Sequence, residues 1–195
     1  MPAVVVGVDH RLAPEHPYPA PVDDVVMALE WIAENAQRLG ADAGRTALFG
    51  ISSGGNLAAA AAHRSLDGAA PRPAALVLQC PSLNLSFASS RFEADEASVE
   101  GARRIVALYA GATDPTDPGL SPGLRQRLGG LPPTLVITAD FDPLTADSAR
   151  YVQRLGEAGV AVTWHPYPMT HTVAMPEVFV RMHDETVAWL AGVLA

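Results

Sequence analysis

A serine flanked by glycines is the feature of this chain that most directly suggests chemistry. Residues 50–54 read Gly-Ile-Ser-Ser-Gly and match G-x-S-x-G, in which a serine lies on a sharp turn between a strand and a helix. Glycines are expected on both sides because neighbouring backbone crowds those positions. The pattern predicts that Ser52 is a nucleophile and that Ser53 and Gly54 lie beside its oxyanion. The alternative is a glycine-rich connection in which Ser52 only caps a helix.

A serine hydroxyl needs a general base, and the base needs an acid to orient it. In chains with this turn the order is serine, acid, histidine. Asp142 and His171 each follow a predicted strand, so both are expected at carboxyl ends of strands, where ligands bind in open α/β sheets. Asp140 is the rival acid, read instead as a turn residue, and His165 lies inside a strand pattern. The other histidines have no acid in the predicted place: His10, His16, His63 and His183.

The elements that must position these residues alternate between strands and helices. Strands are predicted at residues 3–8, 46–49, 74–79, 134–139 and 160–167. Helices are predicted at residues 23–39, 56–65, 99–109, 145–158 and 176–194. The β-branched run at 3–8 is typical of a strand buried on both faces. Repeated strand–helix units predict an α/β fold with a parallel sheet and right-handed crossovers.

A long interval at about residues 83–130 breaks this alternation. Inserts of this length in a compact domain are typically lids or binding loops. The alternative is an ordinary excursion that carries one helix. Because the chain has 195 residues, we expect one domain, 1–195, that includes this cap-like insert.

Composition excludes several classes of protein. The net charge is −8 and no basic cluster occurs, so binding to nucleic acid or to anionic membranes is not expected. Cys80 is the only cysteine, which excludes an internal disulfide framework and a thiolate zinc cluster. No targeting segment or membrane span is predicted. With 49% hydrophobic residues the chain can bury a core, and we expect a cytoplasmic globular protein without metal or cofactor.

Four separated motifs occur in a fixed order along the chain. They are VDHRLAPEHP at residues 8–17, GISSGGN at 50–56, LPPT at 131–134 followed by DPL at 142–144, and His171. Together they resemble the D-Y-R-L-A-P-E-x-P, G-D-S-A-G-G, L-P-P-x…D-P-L and H-G-F motifs of the hormone-sensitive-lipase-like esterases of the α/β-hydrolase fold. The resemblance implies a mostly parallel sheet flanked by helices and a partial cap. It assigns Ser52 as nucleophile, His171 as base and then acid, and Asp142 as its orienter.

The chain departs from the family pattern in three places. Ile51 stands where the family commonly has an acidic residue or threonine, and Thr172 and Val173 replace Gly-Phe after the histidine. The family's H-G-G-G loop, which supplies oxyanion N–H groups, lies upstream of the first motif and does not occur here. The resemblance therefore implies a member that lacks its N-terminal part, including a strand between the first two strands predicted above.

The predicted function is hydrolysis of small acyl esters through an acyl-enzyme. The Ser53 N–H remains as an oxyanion donor, and loss of one such donor costs about 3–4 kcal/mol. The alternatives are an impaired hydrolase-fold binding protein, a fragment of a longer esterase, and a serine peptidase of the same fold. Because an exposed first strand or an open sheet gap is an edge liability, we expect a homodimer or strand exchange.

Overall fold

A parallel sheet of four strands forms the centre of the part of the chain that the computed structural model describes, residues 2–86 and 96–195. The strands are β1 (Ala47–Ile51), β2 (Ala75–Gln79), β3 (Thr134–Phe141) and β4 (Val162–Thr170). The helices are α1 (Ala20–Asn35), α2 (Ser53–Leu66), α3 (Glu96–Ala110), α4 (Thr145–Glu157) and α5 (Pro176–Val193). The strands pair in chain order, and every pair is parallel. The predicted α/β class is therefore confirmed.

Helices cover both faces of the sheet because side chains alternate along β2 and β3. Leu76 points to the face covered by α2 and α4, where it belongs to the same buried cluster as Tyr151. Val77 and Ile137 point to the opposite face and pack with Met182 of α5. The helix α1 packs against α2. Across residues 2–86 and 96–195, no helix is long and apolar enough to cross a bilayer.

The predicted strand at residues 3–8 is wrong, because this segment forms no strand and lies exposed. Val5 is 89% exposed, and β1 pairs only with β2 in the described part of the chain. At the same edge Phe49 and Ile51 are 50% and 48% exposed. A β-branched run favours burial, yet a strand forms only where a neighbour offers backbone partners. No described strand fills the gap beside β1 that the resemblance implied. Association of another chain through this edge stays a prediction.

Two boundaries differ from the prediction in ways that affect the site. The helix α2 begins at Ser53, three residues earlier than predicted, so the amides after the predicted nucleophile belong to a helical turn. The strand β4 continues to Thr170 although it contains Pro166 and Pro168. Proline is tolerated because β4 pairs only with β3 among the described strands, which leaves its other edge without ladder bonds. As a result, β4 ends directly before His171.

The segment between β2 and β3, which includes the predicted cap at 83–130, is anchored on α2. Its residues 87–95 lie outside the described residues. The side-chain nitrogen of Asn56 donates to the carbonyl oxygen of Ser82 at 2.8 Å and to that of Leu120 at 2.9 Å. One buried side chain therefore links the chain before α3 and the chain after it to α2. Its function as a lid stays a prediction.

A buried histidine on α2 is held neutral by the core. His63 is 2% exposed, and its Nε2 lies 2.8 Å from the hydroxyl oxygen of Tyr151 on α4. Burial, with a smaller contribution from the charge of Arg125, lowers the pKa of His63 from 6.5 to about 3. In the unfolded chain the same ring takes up a proton near its ordinary pKa. His63 therefore makes the fold progressively less stable as the pH falls from 6.5 towards about 3.

We expect His63→Gln to reduce the acid sensitivity of the fold. Between these two pKa values the wild-type chain binds one additional proton at this ring on unfolding, so the free energy of unfolding falls by about 1.4 kcal/mol per pH unit. A glutamine cannot take up that proton, although its amide can still bond Tyr151. Urea unfolding of both proteins between about pH 4.5 and pH 7 measures the difference in slope. If the free energy of unfolding changed equally with pH in both proteins, His63 would not be a buried neutral ring.

Candidate active site

Ser52 occupies a strained turn between the last residue of β1 and the first residue of α2. Its φ is 54° and its ψ is −115°, in the positive-φ region that residues other than glycine rarely adopt. The Ser52 N–H donates to the carbonyl of Gln79 at 2.9 Å, and the Ser82 N–H donates to the carbonyl of Ser52 at 3.1 Å. These two bonds tie the turn to the end of β2. The serine is thereby fixed beyond the carboxyl ends of the strands.

The sequence predicted that backbone crowds both Gly50 and Gly54. The structure confirms this for Gly50, and the prediction is wrong for Gly54. A Cβ on Gly50 would lie 2.1 Å from the carbonyl oxygen of Gly54, which is backbone and cannot yield easily. A Cβ on Gly54 would meet nothing within 4 Å, whereas one on Gly55 would lie 2.8 Å from the Cβ of Pro81. The turn therefore requires the absence of a side chain at Gly50 and Gly55. The second requirement lies one residue later than predicted.

Three residues that are distant in the sequence form one hydrogen-bonded chain at this edge of the sheet. The Oγ of Ser52 lies 2.8 Å from Nε2 of His171, and Nδ1 of His171 lies 2.7 Å from Oδ2 of Asp142. The second carboxylate oxygen, Oδ1, accepts the backbone N–H of Leu144 at 2.9 Å. The side chain of Asp142 is 1% exposed and that of His171 is 31% exposed. This order of groups can pass a proton from serine to histidine and hold the ring in one tautomer.

The electrostatics of the site raise the pKa of His171. The hydrogen bond with Asp142 and the charge of that carboxylate raise the pKa of His171 above 6.5, while partial burial opposes the shift. Because Nδ1 faces the carboxylate, the neutral ring carries its proton there and presents Nε2 to Ser52 as an acceptor. The same carboxylate would stabilise an imidazolium at this ring.

The rival residues lie away from this chain of hydrogen bonds. Asp140 is part of β3 and is exposed to solvent, in contrast to the buried Asp142. Nδ1 of His165 lies 3.4 Å from Glu185 of α5. The remaining histidines lie in the loop before α1, on α2 and on α5: His10, His16, His63 and His183. The structure therefore brings together the acid and the base that the sequence order favours.

The two residues predicted beside the oxyanion begin the helix α2. Ser53 and Gly54 are its first two residues, so their N–H groups have no carbonyl partner four residues earlier in the helix. The amides at a helix N-terminus attract negative charge. The Ser53 N–H directly follows the serine, which is the usual position of a donor in this kind of turn. Donation from these amides to an oxyanion stays a prediction.

Cys80 belongs to the site, although its sequence pattern did not indicate this. Its Sγ, a carboxylate oxygen of Asp142 and a ring nitrogen of His171 all lie within 4.8 Å of one another. These residue types can hold a metal ion, but here Asp142 and His171 are already hydrogen bonded to each other. The position of Cys80 in the sequence could have indicated this, because Cys80 directly follows β2, at the edge of the sheet where ligands bind.

Comparison with known proteins agrees with the geometry. Residues 1–175 match the model of a family described as having the alpha/beta hydrolase fold. Esterase LipI of Mycobacterium tuberculosis is 39% identical over 169 residues, which are 84% of this chain and 53% of LipI. Ethyl acetate hydrolase of Pseudomonas putida is 32% identical over 192 residues, which are 93% of this chain and 59% of that protein. The chain therefore spans a little over half the length of these curated relatives.

A solved structure agrees as well. The crystal structure of esterase LipW from Mycobacterium marinum matches with a TM-score of 0.86 and 36% identity, covering 95% of this chain and 61% of LipW. The resemblance to hormone-sensitive-lipase-like esterases predicted from the four motifs is thereby confirmed. This chain belongs to the α/β-hydrolase fold family.

Proposed function

We propose that this chain carries the triad of a serine carboxylesterase that hydrolyses short-chain acyl esters. The observation that carries the proposal is the hydrogen-bonded chain from Ser52 through His171 to Asp142, with links of 2.8 Å and 2.7 Å. A positive φ at the serine and a buried carboxylate behind the histidine add to it. These contacts support the roles of nucleophile, base and orienter that acyl transfer needs.

The proposed reaction proceeds in two acyl-transfer steps. Nε2 of His171 takes the proton of Ser52 while Oγ forms a bond to the ester carbonyl carbon, and the Ser53 N–H donates to the resulting oxyanion. The carbon–oxygen bond to the alcohol then breaks, and His171 returns its proton to the leaving alcohol. Water next attacks the acyl-enzyme, with His171 as base. The carboxylic acid leaves, and the proton returns to Ser52.

The name of a relative suggests the size of the substrate, and the number of N–H donors to the oxyanion suggests the rate. One relative is named ethyl acetate hydrolase, and we extend this preference for a small acyl group to the present chain. A site that relies on the Ser53 N–H alone is slower by roughly 10²–10³-fold than one with a second oxyanion donor. We therefore expect slow but measurable turnover of acetate and butyrate esters if Ser53 supplies the single donor.

A fluorophosphonate probe and p-nitrophenyl esters test this function. We expect the probe to modify Ser52, as located by peptide mass spectrometry, and acetate and butyrate esters to be cleaved in preference to a long-chain ester. A peptide p-nitroanilide panel examines the peptidase alternative, which the esterase names of the relatives disfavour. Folded protein that neither reacts with the probe nor cleaves any ester would refute the proposal.

A non-catalytic binding protein is the second candidate. The open edge of β1, with Phe49 and Ile51 about half exposed, offers a surface for another polypeptide. A binding protein has no need of a reactive serine. Labelling therefore separates the two candidates, since reaction at Ser52 favours the esterase and a folded, unlabelled chain favours the binding protein.

A further inference from the structure

Cys80 shares an unusual backbone conformation with the proposed nucleophile. Its φ is 43°, and Ser52 is the other residue with positive φ among the non-glycine residues that the structure describes. Such conformations cost of order 1–3 kcal/mol and persist where the surrounding structure enforces them, often at functional sites. The N–H of Cys80 donates to the carbonyl of Ile137 at 2.8 Å, which ties this residue to β3. Ser52 contacts Nε2 of His171, and the Sγ of Cys80 lies near both Asp142 and His171.

The strained turn places a thiol against the catalytic acid. Cys80 is 1% exposed, and its Sγ lies within 4.8 Å of both a carboxylate oxygen of Asp142 and a nitrogen of His171. The carboxylate has two identified donors, the N–H of Leu144 and the ring of His171. A carboxylate whose side chain is 1% exposed gains from each further donor because little water reaches it.

We propose that Cys80 is a positioning residue whose thiol donates its proton to Asp142 and shares the carboxylate charge with His171. The proposal rests on the proposed esterase function, because it concerns the acid of that triad. Burial first, and then the charge and hydrogen bonding of Asp142, raise the pKa of Cys80 to about 12, so the thiol stays a neutral donor. Without this donor, more of the carboxylate charge acts on the imidazolium of His171.

Replacement of Cys80 by alanine and by serine tests the proposal. The titratable groups that face His171 in the described residues are Asp142 and Cys80, together with the hydroxyl of Ser52. In Cys80→Ala we expect the titration of His171, followed by NMR, to move to higher pH by about half a unit. The acid limb of kcat/KM should move equally, with the high-pH plateau changed less than about threefold. Cys80→Ser retains a donor and should restore the wild-type titration.

Val77→Ala is the matched control. Val77 is fully buried in the same cluster as Cys80, so its truncation loosens the packing without removing a donor from Asp142. It should lower the melting temperature and leave the His171 titration unchanged. An unchanged or lowered titration in Cys80→Ala, or a serine variant that behaves like the alanine variant, would overturn the proposal. The NMR titration needs no turnover, so it decides the question even if ester hydrolysis itself fails.

Discussion

Asp142→Asn is expected to lower kcat for ester hydrolysis by roughly 10³–10⁴-fold while leaving the fold intact. The buried carboxylate holds Nδ1 of His171 at 2.7 Å and stabilises the imidazolium formed when Ser52 loses its proton. An asparagine provides no charge and can hold the ring in the wrong tautomer. Initial rates with p-nitrophenyl butyrate, together with a thermal melt to verify folding, measure the effect.

The pH dependence of the same variant gives a second prediction, which has a definite direction. His171 must be neutral to accept the serine proton, so activity falls as the pH drops through its pKa, which Asp142 raises above 6.5. Without the carboxylate, the residual activity should persist to lower pH. Asp140→Asn is the matched control, because this exposed aspartate lies two residues earlier and should change kcat less than twofold. Equal losses in the two variants would show that Asp142 has no special role.

Gly50→Ala is expected to destabilise the protein by about 3–5 kcal/mol or to prevent folding. The new methyl group would lie 2.1 Å from the carbonyl oxygen of Gly54 and 2.7 Å from the backbone nitrogen of Gly55. Relief requires α2 to move away from β1, which would also displace Ser52. Urea unfolding, or the soluble yield if the variant does not fold, measures the loss.

Gly54→Ala is the control for that prediction, because it adds the same methyl group to the same turn. Its Cβ would meet nothing within 4 Å, and alanine is the better helix former in the first turn of α2. We expect its free energy of unfolding to be equal to or slightly above that of the wild type. If both variants were equally stable, the close approach of backbone at Gly50 would not constrain the turn.

The meeting of Ser52, Asp142 and His171 was predictable because each follows a strand of a parallel sheet. Parallel strands bring their carboxyl ends to one edge, so the sequence order of strands and polar residues contains most of the geometry. The α/β class was predictable for a related reason, since the apolar runs of β2 and β3 are typical of strands covered on both faces.

The sequence could not predict features that depend on a neighbour. A β-branched run at residues 3–8 shows a preference for burial, but it carries no information about whether another strand lies beside it. The last strand was predicted to end at residue 167, yet β4 continues to Thr170 because its prolines need no ladder bonds on the edge that faces no other described strand. The positive φ of Cys80 is likewise a feature that no residue pattern indicates.

The amide of Asn56 has a consequence for how this chain can vary. Because one nitrogen bonds the carbonyls of both Ser82 and Leu120, the polypeptide between them is a loop whose ends are already closed. Each doubling of the length of such a loop costs only about 0.6 kcal/mol in closure entropy. Insertions between Ser82 and Leu120 should therefore cost little stability, while the turn at Ser52 keeps its shape.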